Sequence, residues 1–184
     1  MPRRIIQLVD QQYYHFYNRA GSSSPLFFER RNYYFFLRRF AELVAPETCR
    51  VHAFCLMPNH YHFLLEILHA LQFEKQFRKF LISYAKAINS AYRRYGHLFQ
   101  GRFHAELVDT DSYFLSVSRY IHLNPVAAKL VSGPEDWEFS SYRCFLEGRN
   151  SWVIPREKSL GIEIDFTVAI AGSLEEYRRF VESK

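Results

Sequence analysis

The feature that most constrains this chain is a pair of β-rich runs, Arg50–Met57 (RVHAFCLM) and His60–Ile67 (HYHFLLEI), separated only by Pro58 and Asn59. Such runs across so short a break read as an antiparallel hairpin, with proline at a turn position that suits its fixed φ. Side chains on a strand alternate between faces. Tyr61, Phe63 and Leu65 therefore form a uniformly apolar set that calls for covering helices, while His60 and His62 stand together on the other face.

The flanking segments supply the cover. Gln12–Ala20 alternates aromatics with other residues and runs into the loop Gly21–Pro25, a strand followed by a turn. Glu29–Val44 carries Tyr33, Phe36, Leu37, Phe40 and Val44 at helical spacing, with Arg30, Arg31, Arg38 and Arg39 largely off that stripe and Pro46 beyond its end. Phe73–Tyr95 repeats the pattern through Phe77, Phe80, Leu81, Tyr84 and Ile88, closing on Arg93-Arg94-Tyr95-Gly96, where the glycine suits a stop and the arginines suit the helix dipole. Gly101–Thr110 reads as a further strand. A helix capped within Asp109–Ser112 then runs through Tyr113–Leu123, with Pro125 expected to interrupt its hydrogen bonding. Beyond Gly133-Pro134, the residues Trp137, Phe139 and Tyr142 are expected to dock on the core, and Ser173–Glu176 fits a capping box for a last helix to Val181.

The order β-α-β-β-α-β-α matches an α+β, ferredoxin-like sandwich: an antiparallel sheet with helices on one face and the other face free for a ligand. Residues 1–133 form the expected main domain, and 134–184 an extension packed on it. The net charge is 24 − 19 = +5, and 33 aromatics (18 Phe, 13 Tyr, 2 Trp) accompany it, a mixture that suits single-stranded nucleic acid as well as a core. No run approaches the ~20 apolar residues of a membrane-spanning helix, and the basic start has no apolar stretch long enough for a signal peptide. Cys49, Cys55 and Cys144 show no metal or redox spacing, which suggests reduced thiols in a cytoplasmic protein.

Two features carry chemistry. The imidazoles of His60 and His62 are close enough to share a divalent cation; the plainer reading is two satisfied or solvated histidines. In Tyr120-Ile-His-Leu-Asn124-Pro125, Tyr120 and Asn124 lie one turn apart on a helix face extended by Tyr113 and Val117. A phenol beside a metal-bound phosphate can act as a nucleophile, and an amide oxygen one turn on can be a third ligand. Equally, Tyr120 fits a core aromatic, and Asn124 fits the cap of a new helix starting at Pro125. Arg19, Arg93, Arg94 and Arg102 are candidate phosphate contacts, and Arg3 and Arg4 a basic arm. His104 and Glu106 share a strand face, and Glu66, on the histidine face, is expected to meet solvent.

MPNHYHFLLE, followed some sixty residues later by YIHLNPVAAKLV, resembles the HUH-type single-strand transposases, and among them the REP-associated tyrosine transposases. The likeness extends through YHFYNRA, LFQGRFHAELVD, WEFSSYR and EYRRFV, nearly the whole chain. It implies a ferredoxin-like fold, Mg²⁺ or Mn²⁺ on His60 and His62, and attack of Tyr120 on a phosphodiester of single-stranded DNA beside a hairpin. The implied product is a 5′-phosphotyrosyl enzyme with a free 3′-hydroxyl, reversed at a second site. Asn124 stands where relatives carry a third, usually Gln, ligand. Asn-Pro-Val-Ala-Ala departs from the commoner Asn-Pro-Val-Arg-Ala, so a basic contact is missing there. Relatives work as monomers or as homodimers. The competing reading is a catalytically silent hairpin-binding module, which has no need to retain His60, His62 and Tyr120 together; a phosphoesterase using water is a weaker third.

Overall fold

The structure, a computed structural model, describes residues 7–21, 24–147, 151–153, 161–165 and 173–183. The elements run β1 (Gln12–Arg19), α1 (Arg30–Leu43), β2 (Cys49–Met57), β3 (His60–Ile67), α2 (Ala70–Ala91), β4 (His104–Val108) and α3 (Asp111–Ala127). A 3-10 turn (Pro134–Asp136), α4 (Tyr142–Leu146), β5 (Ser151–Val153), β6 (Gly161–Glu163) and α5 (Leu174–Glu182) follow. The main sheet has the order β2-β3-β1-β4 with every neighbour antiparallel, the ferredoxin-like arrangement.

The hairpin forms where the sequence places it, and the Pro58 carbonyl accepts from Leu26 N at 2.8 Å. Tyr61 and Phe63 point to α1 and α2. Phe63 stacks on Phe40 with centroids 5.0 Å apart, and Phe36 meets Phe80 edge-on at 4.7 Å. Phe16 of β1 joins them through Phe77 at 5.5 Å. Burial of these rings, each worth about 1.5–3 kcal/mol in transfer terms, anchors the layer.

The second face is not free as expected. α3 crosses it because Phe114, Val117 and Ile121 form an apolar stripe that must be buried. The extension covers the outer edge of β2, which would otherwise expose unpaired backbone groups. Leu56 N donates to Phe139 O at 2.9 Å, Ser141 N to Phe54 O at 3.0 Å, and Asp165 N to Val51 O at 2.8 Å. Phe139 stacks on Tyr33 of α1 at 4.1 Å, Tyr142 is fully buried, and Trp137 Nε1 donates to Leu56 O at 3.0 Å. Ser173 Oγ accepts from Glu176 N at 3.1 Å and so caps α5. Tyr177 of α5 then meets the buried His122 of α3, its hydroxyl 2.8 Å from Nδ1.

Three local expectations change. α3 runs unbroken through Pro125, so Asn124 is not the cap of a second helix; the proline forfeits one backbone donor without ending the element. α2 ends at Ala91 rather than near Tyr95, because Arg93 takes a left-handed φ of 49° that a helix cannot continue. Glu66 is buried rather than solvated. A bulge between Val51 and Ala53 turns His52 inward, and Glu66 Oε2 accepts from Arg50 Nη1 at 3.0 Å with His52 Nε2 3.7 Å away.

Candidate active site

β3 leaves the turn with His60 half-buried and His62 buried, ring centroids 4.9 Å apart, on the face opposite Tyr61 and Phe63. α3 starts under the Thr110 cap, whose hydroxyl accepts from Tyr113 N at 3.3 Å, and its direction sets what lies over the histidines. Tyr120 stands nearly perpendicular to His62 with centroids 5.4 Å apart. One turn on, Asn124 Oδ1 lies 3.3 Å from His60 Nε2, although the residues are 64 apart in the chain. Tyr120 is 54% exposed, which excludes the core reading.

The donor set fits a divalent cation. His60 Nδ1 is 2.7 Å from Asn59 Oδ1 and its Nε2 faces Asn124 Oδ1, yet a neutral imidazole has only one N–H to donate. Burial holds the His60 pKa below its ordinary value, so the ring is neutral. Asn124 Nδ2 donates to Tyr120 O at 3.3 Å, which keeps Oδ1 turned toward His60. With the proton on the nearer Asn59 contact, two lone pairs face each other across 3.3 Å. Two ligands at right angles on a cation with ~2.1 Å bonds stand about 3 Å apart. His62 Nε2 is buried without any hydrogen-bond partner, and burial, then His15 and His60, hold its pKa well below the usual imidazole value. Neutral imidazoles are the form that binds metal. Among the described residues no three His, Cys, Asp or Glu side chains gather as a metal cluster. An ion here would rest on His60, His62, Asn124 and oxygens of its substrate.

Beside the histidines lies a cavity of about 450 Å³ whose walls include His15, Tyr17, His62, Glu106, Tyr113 and Tyr120. His15 and Tyr17 had no role in the sequence reading. The signal was present in QYYHFYNRA: Tyr14 and Phe16 go to the core, so His15 and Tyr17 must share the histidine face. His15 Nε2 lies 2.9 Å from His62 Nδ1, and burial lowers the His15 pKa to about 4. Tyr17 Oη donates to Glu106 Oε1 at 2.6 Å and its ring stacks on His104 at 5.0 Å. Burial, reinforced by that hydrogen bond, raises the Tyr17 phenol to about 12, so it stays protonated.

The candidate phosphate arginines lie outside the cavity that holds Tyr120. Arg19 pairs directly across from His60 in the sheet and donates through Nε to Gln100. Arg102 lines a second cavity of about 510 Å³ between α2 and the segment before β4. Arg94 lies over the Phe28 ring at 5.4 Å. Thus Arg93, Arg94 and Arg102 flank the segment leading into β4, and none lines the cavity with Tyr120. Arg3 and Arg4 lie outside the described residues.

A histidine pair with an amide oxygen on one imidazole and an exposed tyrosine beside the other suits metal-assisted nucleophilic chemistry. Residues 8–124 match the family model described as IS200-like transposase, a span from before β1 to Asn124 itself. The chain belongs to the IS200-like transposase family, whose members are in general DNA-cleaving enzymes. Among solved structures it is similar to a REP-associated tyrosine transposase bound to a REP hairpin, with a TM-score of 0.67 and 16% identity over 80% of this chain and 86% of that one. That likeness shows a shared fold. A bacterial tRNA(His) guanylyltransferase-like protein in complex with ATP gives a TM-score of 0.43 at 10% identity, over 95% of this chain and 93% of that one. No curated protein matches the chain.

Proposed function

We propose that this transposase nicks single-stranded DNA beside a hairpin and rejoins it elsewhere through a phosphotyrosine intermediate. The observation that carries the reading is the exposed Tyr120 held 5.4 Å from the His62 ring on the helix that also brings Asn124 to His60. Tyr120 Oη attacks the phosphorus, a P–Oη bond forms, and the P–O3′ bond breaks. The phenolic proton leaves to solvent or a nearby base, and the departing oxygen takes up a proton as a 3′-hydroxyl. Attack of a 3′-hydroxyl on the phosphotyrosine reverses the exchange, so no high-energy cofactor is consumed.

His60, His62 and Asn124 hold Mg²⁺ or Mn²⁺ in this reading, and the ion supplies charge stabilisation on the phosphate oxygens. Tyr17 remains a neutral donor tied to Glu106 and does not compete with Tyr120 as nucleophile. Hairpin recognition is supported by the neighbouring structure's ligand and by Arg78 and Arg102 in the wall of the 510 Å³ cavity, and we assign Arg19, Arg93, Arg94 and Arg102 as backbone contacts. We assign the catalytic unit to residues 1–133, with 134–184 an extension of the same unit that protects the edge of β2. Cys49, Cys55 and Cys144 are buried and none is in a disulfide, which accords with the reducing cytoplasm, and no helix among the described residues is long and apolar enough to cross a membrane.

The test is a denaturing gel of labelled hairpin oligonucleotides incubated with the protein and Mn²⁺ or Mg²⁺, beside Tyr120→Phe. A metal-dependent, protein-linked band that vanishes in the variant while hairpin binding persists is the expected result. Binding without adduct across several hairpins and both ions would mark a silent binding module, and an adduct retained in Tyr120→Phe would reject the nucleophile.

A further inference from the structure

The candidate metal imidazoles are each anchored at Nδ1 by a residue that is not itself a candidate ligand. His60 Nδ1 meets Asn59 Oδ1 at 2.7 Å, a neighbour supplied by the hairpin turn. His62 Nδ1 meets His15 Nε2 at 2.9 Å, a partner 47 residues away on β1, with the rings stacked at 5.1 Å. An imidazole pair at that distance shares one proton, so either His62 donates from Nδ1 or His15 donates from Nε2. In the second case the remaining His62 proton sits on Nε2, where nothing accepts it: that atom is buried and has no partner. In the first case Nε2 carries only a lone pair, and the proton lies in a good hydrogen bond. The buried environment therefore favours the first arrangement, because orphaned buried N–H groups are rarer in proteins than under-satisfied acceptors, and a free lone pair can be taken up by a ligand.

We propose that His15 is a positioning residue that accepts the Nδ1 proton of His62 and so holds His62 Nε2 as a free lone pair aimed at the cation. Asn59 does the same for His60 at the turn. The inference rests on the metal-site reading above, and it adds a residue from a third strand. It also explains why a histidine occupies a nearly buried position on β1, where an apolar residue would pack at less cost: only an acceptor at that point directs His62.

Two substitutions separate acceptance from packing. His15→Phe keeps the stacked ring and removes the acceptor; His15→Gln offers an amide oxygen near the same place. Thermal melts confirm that both variants fold. The tautomer of His62 is read by ¹⁵N NMR of the ring nitrogens in metal-free protein, and Mn²⁺ affinity by paramagnetic resonance with the metal alone and with the bound hairpin. The wild type is expected to show the Nδ1–H form. His15→Phe is expected to shift His62 toward Nε2–H and weaken Mn²⁺ binding by about 10–100-fold, the usual loss for such outer partners. His15→Gln should restore affinity to within a few-fold. An unchanged tautomer with unchanged affinity in His15→Phe overturns the proposal, as does a wild-type His62 found in the Nε2–H form. A tautomer that switches as described while neither the protein nor its hairpin complex binds Mn²⁺, in the wild type and in His62→Ala alike, would instead reject the metal reading and leave the His15–His62 relation standing.

Discussion

The two faces of the main sheet meet opposite demands with the same backbone. Toward α1 and α2, Phe16, Tyr61 and Phe63 find aromatic partners such as Phe36, Phe40 and Phe77. Toward α3, the sheet buries His15, His52, His62 and Glu66, and leaves His52 Nε2 and His62 Nε2 without hydrogen bonds. The first face lowers the free energy of the fold. The second gives some of that back, since buried polar groups are favourable only when paired, and it keeps atoms poised for a ligand. A helical roof over half of that face makes the burial complete enough to hold the imidazoles neutral, and leaves the β1/β4 side open as a cleft.

Substitutions on each side should expose this contrast. Phe36→Ala, on the packed face, is expected to lose about 3–5 kcal/mol in urea unfolding through the cavity it leaves. A loss near zero would mean that the aromatic layer is not what anchors the sheet. Acid should act on the other face. Burial lowers His15 to about 4 and His122 to about 3, so in each case the unfolded chain takes up a proton that the folded one refuses. Their stabilising contribution is whole above pH ~6.5 and shrinks as pH falls, by about 3 kcal/mol for His15 by pH 4. Unfolding titrations of metal-free protein between pH 7.5 and 4 measure it, and a flat profile would show that these histidines are solvated. Ser173→Ala should remove the α5 cap beneath the roof at a cost of about 1 kcal/mol, read from the melting temperature. His60→Ala should change stability by less than ~1 kcal/mol, because the ring is half-buried, while abolishing Mn²⁺ binding. A large destabilisation with metal binding intact would reverse the assignment of the two faces.

Period-two alternation in HYHFLLEI assigned His60 and His62 to one face, and the three-and-four spacing of Tyr33, Phe36, Leu37 and Phe40 assigned α1 its core side. Both follow from local geometry. Glu66 was misread because the bulge at His52 depends on cross-strand packing. Asn124 stayed ambiguous because Asn-Pro is equally a cap and a helix interior, and only the packing of α3 decides which. His15 was overlooked because its partner lies on a strand 47 residues away.

The order of the elements, the hairpin and the identity of the candidate chemical groups are therefore properties of the sequence itself. They depend on side-chain alternation, turn chemistry and helical spacing, all of which act over a few residues. The tertiary structure alone decided that α3 would roof the histidines, that Tyr120 would remain exposed beside His62, and that His15 would hold its Nδ1. Those outcomes depend on where an apolar stripe finds its match and on which buried polar atoms end within hydrogen-bond reach, and neither is encoded within any short stretch of chain.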